Sequence, residues 1–223
     1  MSSVLALFAR APELGRVKTR LARARGNEFA LELYRAMLGD TLELAERAQE
    51  KRAFHIIVFL TPAHSELFDW PGEVRDQGEG DLWTRLLRAD ALLRSEGFGR
   101  VVFIGSDAPD LPPSLLQASF DCLEERPLVV GPSLDGGFTL LGSARRLPDG
   151  LFQDVPVSSR DTLARLTQNL RKLAHSPGWD YQTLGVWRDV DDEADLEFFI
   201  ERLREDEQAA PRCRAFLSEQ GFL

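Results

Sequence analysis

The chain has 223 residues, 43% of them hydrophobic and 28% charged, a composition that suits one soluble globular domain spanning residues 1–223. A formal net charge of −9 excludes the broad basic face that nucleic-acid binding requires. No apolar run reaches membrane-spanning length, MSSVLALFAR is too short and wrongly flanked for a signal peptide, and Cys122 and Cys213 form no metal knuckle or disulfide framework, so a reduced, cytoplasmic setting is expected.

The first apolar run, SVLALFA (3–9), is short and reads as a buried strand. It leads into RAPELGRVKTR (10–20), which gathers Arg10, Arg16, Lys18 and Arg20 around Gly15 in an otherwise acidic chain. Such a loop is either a solvated basic turn or an anion cradle, with backbone N–H donors and cations around phosphates. It is neither a Walker A loop nor GxGxxG. Leu31, Tyr34, Leu38, Leu42 and Ala45 then recur at helical spacing.

FHIIVFLT (54–61) predicts a second strand, and Leu82, Leu86, Ala89 and Leu93 a helix. RVVFIGS (100–106) is the clearest buried strand, with Asp107 directly after it and Asp110 three residues on. Carboxylates at a strand end suit Mg²⁺ or Mn²⁺, whereas Asp110, before LPP, reads as a turn or cap residue. A helix is expected from Pro113 or Ser114 through Leu115, Leu116 and Phe120, with Cys122 as a buried small side chain in it.

PLVVGPS (127–133) and GFTLLGS (137–143) predict two more strands. Asp135-Gly136-Gly137 between them signals a hairpin, and its glycines would also let a sugar or phosphate approach the backbone. Ser158 or Ser159 could cap a helix near Asp161. Asp189, Asp191 and Asp192 precede a late helix (about 192–207), where they complement its dipole or one of them completes a metal site with Asp107. A short tail helix follows. His55, His64 and His175 show no ligand spacing, and no Ser-His-Asp elbow or HExxH is present. Alternating strands and helices predict an α/β sheet covered on both faces.

FARAPELGRVKTRLA, QGEGDLWTRL, IGSDAPDLPPSLL, GPSLDGGFTLLG and DVDDEADL, in this order over roughly residues 3–200, resemble the DUF2064 glycosyltransferases, relatives of the GT-A or nucleotide-diphospho-sugar transferase superfamily. The resemblance implies a GT-A-like three-layer α/β/α sandwich with a mostly parallel central sheet. It implies that Lys18 and Arg20, with Arg10, Gly15 and Arg16, face nucleotide phosphates. Asp107 and Asp191 match metal positions for Mg²⁺ or Mn²⁺, and Asp135, Gly136, Gly137 and Phe138 match an acceptor or sugar loop. Three departures fall toward the acceptor: Trp83 where relatives show Gly, Phe138 for Tyr, and Val157-Ser158 for Trp-Ser.

The expected activity is metal-dependent glycosyl transfer from a nucleotide-diphospho-sugar to a small acceptor. Lys18 and Arg20 would stabilise charge, and Asp135 would serve as base if the reaction inverts. A nucleotidyltransferase releasing pyrophosphate is the alternative, and a non-catalytic nucleotide-binding protein a third reading. The acidic helices from residue 193 onward offer a surface for a homodimer.

Overall fold

In β1 (Ser2–Arg10) alternate residues are buried on opposite faces, as a strand covered on both sides requires. Leu5, Leu7 and Ala9 join one core, Val4 and Ala6 the other. The computed structural model describes residues 2–62, 66–174 and 180–223. His64 and His175 lie outside the described residues.

The helix after β1 is two helices, α1 (Thr19–Arg25) and α2 (Asn27–Lys51), separated at Gly26 with φ 89°. The chain continues through β2 (His55–Thr61), β3 (Glu73–Asp76), α3 (Leu82–Ser95), β4 (Phe98–Gly105), α4 (Pro113–Glu125), β5 (Leu128–Pro132) and β6 (Phe138–Ser143). It ends with α5 (Thr162–Ala174), β7 (Tyr181–Thr183), α6 (Glu193–Glu205) and α7 (Pro211–Glu219).

The seven strands form one sheet in the order β3-β2-β1-β4-β6-β5-β7. Pairing is parallel except where β6 runs against both β4 and β5. Helices α2 and α4 cover one face and α3 and α5 the other, the mixed α/β sandwich the apolar runs predict. A third apolar cluster joins Leu21 of α1 and Leu33 and Met37 of α2 to α6 and α7, so those last two helices bury their apolar faces within the chain. Among the described residues, no helix is long and apolar enough to cross a membrane.

Asp81 caps α3 by accepting from Thr84 N–H, which puts Leu82 at the exposed first position and sends Trp83 inward instead. Trp83 stacks on Phe152 at 4.6 Å and on Phe138 at 6.0 Å, and donates to the Val155 carbonyl at 2.7 Å. Trp83, a departure that the resemblance sets toward the acceptor, is a core side chain. Cys122 is only partly buried, and Cys213 is the fully buried thiol. Asp110 neither caps α4 nor closes a turn through its side chain: its carboxylate binds Arg202 and Trp187.

The sheet order fixes the ligand edge. The chain leaves β1 toward β2 on one side, and β4 flanks β1 on the other, so a switch point lies between β1 and β4. In open α/β sheets, ligands bind beyond the carboxyl ends of strands at such a point. The loops after β1 and β4 carry Lys18 and Asp107.

Candidate functional site

Tyr34, buried on α2, ties the ends of β1 and β4 together. Its hydroxyl accepts from Arg10 N–H and donates to the Arg10 carbonyl, both at 2.9 Å, and it accepts from Ser106 Oγ at 3.2 Å. Burial, then the nearby Asp107 charge, pushes its phenol above the ordinary value. Past Arg10, Arg16 N–H donates to the Glu13 carbonyl, Gly15 adopts φ 72°, and buried Val17 anchors the loop. Lys18 then takes a left-handed backbone (φ 44°, ψ 44°) just ahead of α1.

That geometry turns Lys18 inward. Its side chain is 4% exposed, and its ammonium bridges Asp107 Oδ1 at 2.5 Å and Asp191 Oδ1 at 2.9 Å. Burial pulls the ammonium pKa down, but Asp107 and Asp191 more than reverse this and raise it above the ordinary lysine value. Burial likewise opposes ionisation of Asp191, yet Lys18, with help from Arg20, holds its carboxyl below the usual range. Arg10, Arg16 and Arg20 remain exposed and make no ion pair among the described residues. The four clustered cations therefore divide into one buried bridge and three open charges.

The three late aspartates divide as well. Asp192 caps α6 in a capping box with Asp195, which accepts from Asp192 N–H and, at 3.2 Å, from Asp191 N–H. Helix complementation is thus the part of Asp192. Asp191 is left for Lys18, and Val190 N–H donates to the Asp107 carbonyl at 2.8 Å, stitching this segment to the end of β4. Asp189 lies two residues before Asp191 in the same segment. Burial, and then the charges of Asp107, Asp135 and Asp191, push its carboxyl well above the usual range. Arg25 of α1 pairs with Glu193 of α6, a second bond between the lysine and aspartate segments.

Residues 133–137 form the hairpin between β5 and β6. Exposed Asp135 accepts from Gly137 N–H at 2.8 Å. Gly136 takes φ 92° with its α-carbon against the Arg160 carbonyl, and its own carbonyl accepts from Leu163 N–H. Asp135 brings this hairpin within electrostatic reach of Asp189, while Phe138 turns toward Trp83 in the core.

Gln77 does work that its sequence context did not announce. The buried amide donates to the carbonyls of Ala9 and Phe59 at 2.8 Å each, fixing the ends of β1 and β2. Asp110, its side chain 2% exposed, holds Arg202 at 2.6 Å and Trp187 Nε1 at 3.1 Å, fixing the loop after β4 to α6. A cavity of about 320 Å³ lies against this contact, lined by Leu44, Arg47, Pro109, Trp187 and Arg202 among others, and does not include Asp107 or Asp191.

The donor set is all oxygen and fits a hard divalent cation. Asp107 and Asp191 already surround a positive nitrogen within 3 Å, and their side chains are 44% and 38% exposed. Among the described residues, no three His, Cys, Asp or Glu side chains gather to hold a metal by themselves. An ion here would need water or ligand oxygens to complete its shell.

The family described as "Uncharacterized protein conserved in bacteria (DUF2064)" matches residues 43–159, just over half of the chain. No curated protein matches. Among solved structures, a provisionally assigned nucleotide-diphospho-sugar transferase from Desulfovibrio desulfuricans G20 is 25% identical with a TM-score of 0.87, over 99% of this chain and 96% of that one. A 4-diphosphocytidyl-2C-methyl-D-erythritol synthase from Anaerococcus prevotii is 11% identical (TM-score 0.58, 91% and 99% covered). A nucleotidyl transferase from Methanothermobacter is 18% identical (TM-score 0.55, 91% and 99% covered). The last two share the fold. With the five motifs and the mostly parallel sheet already described, the family match makes this chain a member of the DUF2064 family.

Proposed function

We propose that the protein is a divalent-metal-dependent glycosyltransferase that takes a sugar from a nucleotide-diphospho-sugar. The observation that carries this reading is the convergence of Asp107 and Asp191 on Lys18 at the switch point, in a loop that also carries three exposed arginines. The likeness to the Desulfovibrio protein supports the donor class.

Asp107 and Asp191 would hold the ion, which when bound neutralises diphosphate charge and aids departure of the nucleotide. Arg10, Arg16 and Arg20 would orient the phosphates from the rim. Lys18 and Arg20 would place positive charge where negative charge develops on the departing diphosphate, a contribution that grows in the transition state. The hairpin would meet the sugar or acceptor through exposed Asp135 and the Gly137 backbone, while Gly136 packs on the Arg160 carbonyl and Phe138 holds the turn from the core side. In an inverting reaction, Asp135 would take the acceptor proton: one carboxylate oxygen is tied to Gly137 N–H and the group is exposed.

The competing chemistry is nucleotidyl transfer, in which an acceptor attacks the α-phosphate of a nucleoside triphosphate and pyrophosphate departs. The same cations and carboxylates serve it, and the shared fold with nucleotidyltransferases supports keeping it in view.

A melting-temperature panel of nucleoside triphosphates, diphosphates and diphospho-sugars, each with Mn²⁺ or with EDTA, tests the reading. A ligand at a hundred times its dissociation constant adds roughly 2.7 kcal/mol to stability. A metal-dependent shift with a diphosphate or diphospho-sugar is expected. A shift confined to one triphosphate favours nucleotidyl transfer, and no metal-dependent shift at all defeats both.

A further inference from the structure

We propose that Lys18 is an internal competitor for the metal seat: its ammonium lies between Asp107 and Asp191 and is given up when the metal–diphosphate pair arrives. The inference rests on the metal reading above and adds an order to it. In that order, the metal alone binds poorly, because it must displace a cation already in place.

The geometry supports exchange rather than a permanent structural bridge. Lys18 makes its two ion contacts to one oxygen of each carboxylate, while both carboxylates keep more than a third of their side-chain surface open to solvent. A lysine ammonium is a single charge on four rotatable carbons, so it can change partners without moving the helix behind it. Divalent charge between the same two oxygens would repel it. The new partner lies within the same loop's compass: Arg16 and Arg20 are exposed beside it and would draw an anionic diphosphate to this rim. The ammonium would move from two carboxylates to phosphate oxygens, and the ion would take the carboxylates, so positive charge never leaves the seat unfilled. Lys18 thereby couples the two ligands. Phosphate raises metal affinity by removing its competitor, and by reciprocity metal raises phosphate affinity.

The test is direct Mn²⁺ titration, followed by the paramagnetic loss of the free-ion signal, of the wild-type chain, Lys18→Met and Lys18→Gln, with melting curves to establish folding. Both variants should bind Mn²⁺ more tightly than the wild type, by roughly the 5–150-fold typical of coupled sites. Equal or weaker binding in folded variants overturns the competition while leaving the metal site standing. Absence of Mn²⁺ binding in all three overturns both. A second measurement needs no variant. The chain has three lysines, Lys18, Lys51 and Lys172, so amine acetylation read by mass spectrometry isolates Lys18. Its labelling should be slow in the wild type and rise several-fold under saturating Mn²⁺. Unchanged protection under saturating Mn²⁺ contradicts displacement.

Discussion

Removing Arg202 should expose how strongly the loop after β4 depends on one buried ion pair. Asp110 is 2% exposed at its side chain and Arg202 18%, with 2.6 Å between Arg202 Nε and Asp110 Oδ2. In Arg202→Met, Trp187 Nε1 would be the sole side-chain donor left to the Asp110 carboxylate. Breaking a buried pair on one side typically costs about 3–5 kcal/mol, a large part of the roughly 5–15 kcal/mol that holds a domain together. For a chain of this size that is a fall in melting temperature of roughly 6–20 °C. Burial already raises the Asp110 carboxyl pKa, with Arg202 and Trp187 opposing. A raised carboxyl is protonated more readily in the fold than in the unfolded chain. Its contribution to stability is therefore full below the unfolded value of about 3.9 and is lost as pH rises through the folded value. Without Arg202 that loss deepens, so urea unfolding should show a larger deficit for Arg202→Met at pH 7 than at pH 4.5. Asp110→Asn/Arg202→Met should recover most of the pH 7 loss, because no unpaired charge remains buried. A deficit below about 1 kcal/mol at pH 7, or one equal at both pH values, would mean that the Asp110–Arg202 pair does not hold this loop.

Asp40→Ala should lose roughly 1–3 kcal/mol in urea unfolding, because the buried carboxylate accepts from Arg212 N–H at 2.9 Å and Cys213 N–H at 2.8 Å at the start of α7. Gln77→Leu should cost roughly 1–3 kcal/mol for each carbonyl it leaves bare, Ala9 and Phe59, and the same unfolding curves report it. In Gly136→Ala, the new methyl would meet the Arg160 carbonyl oxygen at 2.2 Å with φ at +92°. Strain of order 1–3 kcal/mol and a displaced hairpin should follow, read as a lower melting temperature together with weakened sugar-donor binding.

Five of the strands were legible because each is an apolar run bounded by turn residues and buried on both faces. β3 and β7 were not: EVRD and YQT are short and largely exposed at the sheet edges, so burial left no mark on their composition. Helix α1 has only seven residues and abuts α2 at Gly26, so periodicity merges the two. In the site, the residue types were visible but their partners were not. Lys18 reads as one cation among four, and only contacts spanning 89 and 173 residues show it between Asp107 and Asp191. The division among Asp189, Asp191 and Asp192 was partly available, since Asp195 three residues after Asp192 completes a capping box with Asp in the usual Glu place. Trp83 could not be placed from its neighbours, because Val155 and Phe152, which hold it, lie about seventy residues on.

Product analysis separates glycosyl from nucleotidyl transfer: purified protein is incubated with nucleotide-diphospho-sugars or nucleoside triphosphates and Mn²⁺, and released nucleoside diphosphate and pyrophosphate are quantified separately. A glycosyltransferase with this site should release nucleoside diphosphate from one diphospho-sugar, with release abolished by EDTA and reduced at least roughly a hundredfold in Asp107→Ala, in line with the loss of a main electrostatic contact. Turnover unchanged by both chelation and Asp107→Ala, or pyrophosphate release from a triphosphate alone, would contradict metal-dependent glycosyl transfer.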